Sequence, residues 1–144
     1  MIAHAGLVAL WSGGRWRGAL IEGPSGAGKS SLALAALEAG FRLVADDRTL
    51  LWTSGGQLYG RAPDTLKGLI EARGVGVLPE SPLGLARIDL VVACAAGPEA
   101  VERLPDPAKV DRLGAAIPLL GLWPFDPAAL AKLRRAIVHL GGGD

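Results

Sequence analysis

Short apolar runs separated by Gly-rich turns dominate the chain and predict mostly β-strands. The strand-like runs lie at residues 3–11, 17–23, 41–46, 49–53, 57–62, 88–95 and 114–122. Ser-Gly-Gly at 12–14 joins the first two runs and a second Ser-Gly-Gly at 54–56 joins the fourth and fifth, so we expect two hairpins. Pro118 weakens the last run as a strand, because proline cannot donate a backbone hydrogen bond.

Other segments have the pattern of helices, and they lie at residues 30–39, 64–72 and 126–140. The first is apolar nearly all round, which predicts a buried helix, and Gly40 is a typical C-terminus for it. The second has Asp64 as a candidate N-cap and should end near Gly74. The third has Asp126 as N-cap, Pro127 at its first position and basic residues towards its end. This mixture of strands and helices predicts an α/β fold.

Length and composition fit one domain over residues 1–144, with a disordered tail at 140–144. Half of the 144 residues are hydrophobic, and 15 Lys and Arg balance 14 Asp and Glu. This balance gives no basic stripe for nucleic acid and no polybasic membrane patch. No apolar run approaches the ~20 residues that a membrane span needs, and the N-terminus lacks the pattern of a signal peptide, so we expect a cytoplasmic protein. Cys94 is the only cysteine and is expected to be a small buried side chain.

The segment GPSGAGKS, residues 23–30, matches the Walker A phosphate-binding pattern in full. It follows an apolar strand and opens a helix, which is the context that this pattern requires. Its glycines let the backbone curl so that successive N–H groups point at phosphate oxygens, and the helix N-terminus adds positive potential. The expected phosphate-binding residues are Gly23, Pro24, Ser25, Gly26, Ala27, Gly28, Lys29, Ser30 and Ser31. Lys29 can reach the β- and γ-phosphates, and Ser30 can ligate Mg²⁺. A nucleoside triphosphate is therefore the predicted ligand.

Asp46 and Asp47 close the strand that follows the P-loop helix. In open α/β sheets ligands bind at the carboxyl ends of strands, so the pair should face the phosphates. One carboxylate can hold Mg²⁺ and the other can accept a proton. Side chains alternate along a strand, so both carboxylates reach one site only if the chain bends there. The sequence does not decide which of the two is the acid/base.

Glu71 and Arg73 are followed by Gly74 and Gly76, with apolar residues between them. A carboxylate and a guanidinium beside a Gly-rich turn could place a metal ligand and a phosphate clamp together. A solvated helix end with one charge pair explains the pattern equally well. Trp16, between two arginines at a predicted hairpin tip, is a weaker candidate for contact with a base or a partner.

Four segments resemble the catalytic domain of the HPr kinase/phosphorylase family, which phosphorylates a serine of the phosphocarrier HPr. They are GPSGAGKS at 23–30, RLVADD at 42–47, GRAP at 60–63 with LIEARGVG at 69–76, and DRLG at 111–114. The resemblance implies a P-loop nucleotide-binding domain of the HPr kinase/PEP carboxykinase type, with a mixed sheet and flanking helices. It also implies ATP and Mg²⁺ as cofactors, HPr or an HPr-like phosphocarrier as partner, and a homo-oligomer, although no surface in the sequence identifies how copies would pair.

The resemblance assigns roles to individual residues of this chain. His4 matches the family's active-site histidine near the aspartates, and Asp47, or else Asp46, matches the acid/base. Glu71 matches a second magnesium ligand beside Ser30, in the segment that also contains Arg73, Gly74 and Gly76. Arg112 matches the family's catalytic arginine, a cation placed against transferring phosphate charge.

The chain departs from the family pattern after Arg112. The family's basic segment there is tied to the phosphorylase reaction, whereas no Lys or Arg lies between Arg112 and Lys132 here, which puts that reaction in doubt. The family's N-terminal regulatory domain also has no counterpart, as in the short form typical of alphaproteobacteria. A serine kinase acting on HPr is the leading hypothesis. A nucleotide-binding regulatory module without transfer activity and a P-loop kinase of a small metabolite are the alternatives.

Overall fold

A computed structural model describes residues 1–141 of the chain. The strands that it describes are β1 (Ile2–Ala3), β2 (Ala5–Ser12), β3 (Arg15–Glu22), β4 (Arg42–Ala45), β5 (Thr49–Ser54), β6 (Gln57–Arg61), β7 (Leu69–Ala72), β8 (Gly76–Pro79), β9 (Ala86–Cys94), β10 (Ala108–Arg112) and β11 (Ala115–Leu122). The α-helices are α1 (Lys29–Glu38) and α2 (Ala129–His139). The architecture is the mixed α/β sheet with flanking helices that the resemblance implied.

The main sheet has the strand order β1-β5-β6-β9-β3-β2-β4, and the β10–β11 hairpin joins it where β11 pairs with β9. Strands β3 and β11 both run parallel to β9, and β2 runs antiparallel to both β3 and β4. As a result β3, β4, β9 and β11 all end at the same edge of the sheet. The P-loop, the two aspartates and the loops after β9 and β11 therefore meet at this carboxyl edge.

Apolar side chains cover both faces of the sheet. On one face, Leu32 of α1 and Leu133 of α2 pack with sheet residues such as Ile21. On the other face, the next residue of β3, Leu20, packs with residues such as Ile117 of β11. This alternation along β3 is the expected result of a strand buried on both sides. The two-sided core fixes the strand end that leads into the P-loop.

Both predicted hairpins are confirmed, as β2–β3 and β5–β6. The strand before the aspartates is confirmed as β4, and the runs at 88–95 and 114–122 are confirmed as β9 and β11. Pro118 is tolerated in β11, where it lies opposite Lys109 of β10. Strand β10 itself was not predicted.

The predicted helix over residues 64–72 is wrong. Asp64 opens only a 3₁₀ turn that ends at Leu66, and residues 69–72 are strand β7, paired with β8 in a separate two-stranded sheet. Gly68, at φ 75°, breaks the helical path. Burial then alternates, with Ile70 buried and Glu71 exposed, which is the period of a strand and not of a helix.

The helix predictions at 30–39 and 126–140 are confirmed with two corrections. Helix α1 buries one side only, and Ser31, Ala35 and Glu38 are exposed. Helix α2 begins at Ala129 and not directly after Asp126, although the Asp126 carboxylate does accept a hydrogen bond from the Ala128 amide.

The predicted tail at 140–144 is described only in part. The amides of Leu140 and Gly141 still donate to the Ala136 carbonyl, while residues 142–144 lie outside the described residues. Within residues 1–141, no helix combines the length and the apolar character that crossing a membrane would need.

Candidate active site

The loop between β3 and α1 has a backbone that strongly favours glycine at several positions. Gly26 and Gly28 have φ values of 82° and 102°. A Cβ atom on Gly28 would lie 2.9 Å from Cβ of Pro124 and 3.0 Å from Cζ of Phe125, and one on Gly23 would lie 2.9 Å from Cβ of Cys94. The loop is therefore packed against the ends of β9 and β11. Its curled shape, predicted from the glycines, is confirmed.

Lys29 is the first residue of α1, and its side chain folds back over the loop. Its ammonium group donates to the carbonyl oxygens of Gly23 at 2.6 Å and Pro24 at 3.0 Å. The residue as a whole is only 9% exposed. The positive charge is thus held inside the curl of the loop, where a phosphate group would meet it.

Asp46 connects the loop helix to the β7–β8 hairpin. One carboxylate oxygen accepts a hydrogen bond from the Ser30 hydroxyl at 2.8 Å, and the other accepts one from the Glu71 amide at 2.9 Å. Both of its oxygens are therefore engaged by the protein. This contact also holds the hairpin beside the P-loop.

Asp47 is placed differently, because the chain bends at this residue. Its φ is 66°, a left-handed conformation that is uncommon for a residue other than glycine. Nε2 of His4 lies 2.6 Å from one Asp47 oxygen, and the Arg48 guanidinium donates to the other at 2.6 Å. The Asp47 side chain is 51% exposed, so it remains accessible to a reactant. The bend separates the two carboxylates into different environments.

A cavity of about 270 Å³ lies over the loop. Its lining residues are Ser25, Gly26, Gly28, Lys29, Ser30, Ser31, Asp47, Glu71, Arg73 and Phe125. Asp47 lines it and Asp46 does not. Glu71 and Arg73 reach it from β7 and the hairpin turn, whereas Gly74 lies within that turn, at φ 87°, and Gly76 opens β8, at φ 134°. The third predicted cluster therefore joins the site through its two charged side chains.

His4 lies immediately before β2, at the carboxyl edge, because β2 runs opposite to its neighbours. Arg112, at the end of β10, does not line the cavity. Its guanidinium donates to both carboxylate oxygens of Glu22, at 2.9 and 2.6 Å, and these hydrogen bonds raise the pKa of Arg112 above its ordinary value. Since Glu22 is the residue before Gly23, Arg112 is attached to the base of the loop.

A magnesium ion implied by the resemblance fits the residues present. Mg²⁺ in phosphate-transferring sites is usually held by one or two protein oxygens together with phosphate and water. The Ser30 hydroxyl and the Asp46 carboxylate are adjacent and could serve as these oxygens. Among residues 1–141, no group of three or more His, Cys, Asp or Glu side chains forms a dedicated metal cage. The chain thus suits a metal ion that arrives with phosphate.

Sequence reasoning missed Glu22, Phe125 and the position of Cys94 beneath the loop. Partial burial raises the pKa of the Cys94 thiol to about 11, partly opposed by the charge of Lys29. Phe125 belongs to a Pro-rich turn with no distinctive pattern, and only its packing against Gly28 reveals it. Trp16 does not lie near the site. It lies at the start of β3, far along the strand from Gly23, and its ring packs against Trp11 at 5.5 Å.

The fold and this site define a P-loop nucleotide-binding protein. The family model of the HPr Serine kinase C-terminal domain matches residues 3–88. This chain therefore belongs to the HPr serine kinase C-terminal domain family.

Curated relatives are named HPr kinase/phosphorylase. The chain is 52% identical to the Brevibacillus brevis protein over 62 residues, which are 42% of this chain and 20% of that protein. It is 44% identical to the Clostridium perfringens protein over 72 residues, which are 49% of this chain and 24% of that protein. The matched region thus spans only about a fifth to a quarter of these relatives.

A solved structure gives a broader match. The Hpr(Ser) kinase/phosphatase from Coxiella burnetii superimposes with a TM-score of 0.78 at 25% identity, over 97% of this chain and 89% of that one. The similarity therefore extends through β9–β11 and α2, beyond the region that the family model matches.

Proposed function

We propose that this chain is an ATP-dependent serine kinase that transfers the γ-phosphoryl group to HPr or an HPr-like phosphocarrier. The observation that carries the proposal is the position of Asp47, which faces the P-loop cavity while His4 lies 2.6 Å from its carboxylate. A phosphate-binding loop alone would indicate only nucleotide binding. A carboxylate that faces the same cavity and remains accessible adds a proton acceptor for an attacking hydroxyl.

The P-loop amides and Lys29 bind the triphosphate in this proposal. Phosphate oxygens replace the Gly23 and Pro24 carbonyls as partners of the Lys29 ammonium group. Ser30 and Asp46 would hold Mg²⁺, and Glu71, which lines the cavity together with Ser30, is the candidate third ligand. When bound, the ion supplies neutralisation of the charge on the β- and γ-phosphates.

Asp47 accepts the proton of the substrate serine as the serine oxygen bonds to the γ-phosphorus, while the bond from that phosphorus to the bridging oxygen breaks and ADP leaves. We assign this role to Asp47 and not to Asp46, because Asp47 lines the cavity with a half-exposed side chain, whereas Asp46 does not line it and holds Ser30 and the Glu71 amide. His4 orients the Asp47 carboxylate. Arg73, at the cavity wall, is the candidate clamp for the transferring group.

Arg112 keeps its proposed role as a cation for the transferring phosphate. In the present arrangement its guanidinium is bound to Glu22, so it must exchange that carboxylate for phosphate in order to act. The absence of Lys and Arg between Arg112 and Lys132 supports transfer in the kinase direction without the phosphorylase reaction.

Cytoplasmic location, a single domain over residues 1–144 and assembly into a homo-oligomer belong to the same proposal. A regulatory module that binds nucleotide without transfer is the alternative, and the relatives named HPr kinase/phosphorylase do not favour it. Against it stands Asp47, which a module that only binds nucleotide would not need in the cavity.

The test is transfer of labelled γ-phosphate from Mg·ATP to purified HPr from the same organism. Serine labelling by the wild-type chain and its loss in Asp47→Asn are the expected results. Gly84→Ala is a matched control, because a Cβ at Gly84 meets nothing within 4 Å and this residue does not line the P-loop cavity. ATP binding without labelled HPr would contradict the kinase assignment and favour the regulatory module.

A further inference from the structure

A second cavity of about 430 Å³ lies next to the P-loop cavity, between the loops that follow β9 and β11. The two cavities are separated by the turn after β11, residues 123–126. Phe125 of this turn lines the P-loop cavity, whereas Trp123 and Asp126 line the second one. Because Pro124 and Phe125 also pack against Gly28, the turn and the P-loop form one continuous wall.

The P-loop cavity by itself has the lining of a phosphate-binding site and lacks the apolar walls of a nucleoside site. Its volume of about 270 Å³ is lined mainly by loop backbone, hydroxyl groups and charged side chains. Phe125 is the aromatic side chain at its rim, and it is 57% exposed. A nucleotide bound there by its phosphates must direct its ribose and base out of this cavity.

The second cavity has the chemistry that a nucleoside requires. Trp123, Leu120 and Val101 provide apolar surface, and the ion pair of Asp126 and Lys132, together with Glu102 and Arg103, provides polar groups. The hydrogen bond from Lys132 lowers the pKa of Asp126, so this carboxylate stays an acceptor at neutral pH. Apolar and aromatic walls with a few polar groups are typical of small-molecule sites.

We propose that this second cavity binds the ribose and purine base of the nucleotide whose phosphates lie on the P-loop, with Phe125 and Trp123 packing against the nucleoside. The assignment rests on the proposed function, since it needs a nucleotide on the P-loop. The second cavity adjoins the P-loop cavity, because both open at the carboxyl edge and share the turn after β11. The turn itself carries no Lys or Arg, so it offers packing surface for a nucleoside and no cation for a phosphate group.

The test compares binding of Mg·ATP with binding of inorganic triphosphate and Mg²⁺, by calorimetry on the full chain. Gly121→Phe places a ring in the second cavity, because Gly121 lines it and a Cβ there would meet nothing within 4 Å. Gly84→Phe is the matched control, at a glycine with equally open surroundings that lines neither cavity. Phe125→Ala is a second variant that removes an exposed ring and does not open the core.

We expect Gly121→Phe and Phe125→Ala to weaken ATP binding roughly 5- to 150-fold, the range that loss of base stacking produces. Gly121→Phe should leave binding of inorganic triphosphate unchanged, Phe125→Ala should weaken it less than it weakens ATP binding, and Gly84→Phe should change neither ligand. Unchanged ATP affinity in Phe125→Ala and in folded Gly121→Phe would overturn the inference, and so would an equal loss for both ligands. A wild-type chain that binds neither ligand would instead overturn the proposed function, and the inference with it.

Discussion

Replacing Asp47 by Asn tests whether this carboxylate is the proton acceptor. The substitution keeps the size of the side chain and one acceptor oxygen, but the amide cannot take a proton. Loss of general base catalysis typically costs 10²- to 10⁴-fold in rate, or about 2.7 to 5.4 kcal/mol of transition-state stabilisation. The contacts of Asp47 with His4 and with Arg48 are both half-exposed, so their loss should cost at most about 1 kcal/mol of folding stability. The rate effect should therefore far exceed the stability effect.

Asp46→Asn is the matched variant, one residue away. An Asn side chain can still accept from the Glu71 amide and donate to the Ser30 oxygen, so the geometry is retained and only the charge is lost. We expect a higher Mg²⁺ requirement with a smaller loss of kcat at saturating Mg²⁺. The assay is steady-state phosphorylation of HPr over a range of Mg²⁺ concentrations, with ATP affinity measured separately. A kcat of Asp47→Asn within threefold of wild type would refute the reasoning, as would a larger loss in Asp46→Asn.

Three further predictions concern folding stability, ATP binding and the reactivity of Cys94. Asp89→Ala removes a fully buried carboxylate that accepts hydrogen bonds from both terminal nitrogens of Arg15, at 2.6 and 3.1 Å. Urea unfolding should therefore show that the free energy of unfolding falls by about 3 kcal/mol. A decrease below about 1 kcal/mol would contradict this prediction. Gly28→Ala should abolish measurable ATP binding in calorimetry, because strain and overlap with Phe125 combine, whereas Gly26→Ala adds strain alone and should bind more weakly without losing ATP. The pKa of Cys94 is raised to about 11, so the rate of its reaction with a thiol reagent should keep increasing with pH up to about 11. Since burial favours the protonated thiol, the contribution of Cys94 to folding stability should fall between about pH 9 and 11. A reaction rate that levels off near pH 9 would count against this burial.

Local pattern was enough to predict the two hairpins, both long helices and the P-loop. In each case the deciding interactions lie within a few residues of sequence, as in Ser-Gly-Gly turns or in the glycines of residues 23–30. The β7–β8 hairpin was missed because its sequence also suits a short helix. The interactions that favour a strand come from residues distant in sequence. The Asp46 carboxylate accepts a hydrogen bond from the Glu71 amide, and Ile70 is buried in the core with side chains of the sheet and helices.

The candidate site divides in the same way. Lys29, Ser30 and the aspartate pair could be predicted from their order along the chain, because a strand that follows a P-loop helix ends at the same edge of the sheet. Arg112 and His4 needed the family resemblance, since an isolated arginine or histidine has no pattern of its own. Phe125 had no signal at all before the turn after β11 was seen against Gly28.

The sequence by itself determined the phosphate-binding loop, the α/β class and the residues that could act on a phosphoryl group. These depend on short-range backbone geometry, which the residue types encode directly. Only the tertiary structure shows that Asp46 and Asp47 have different surroundings. The left-handed bend at Asp47 turns one carboxylate towards Ser30 and the other towards His4, 43 positions away in sequence. Asp47 can meet His4 because β2 and β4 pair side by side and bring His4 to the carboxyl edge. This is a long-range contact that no local pattern contains.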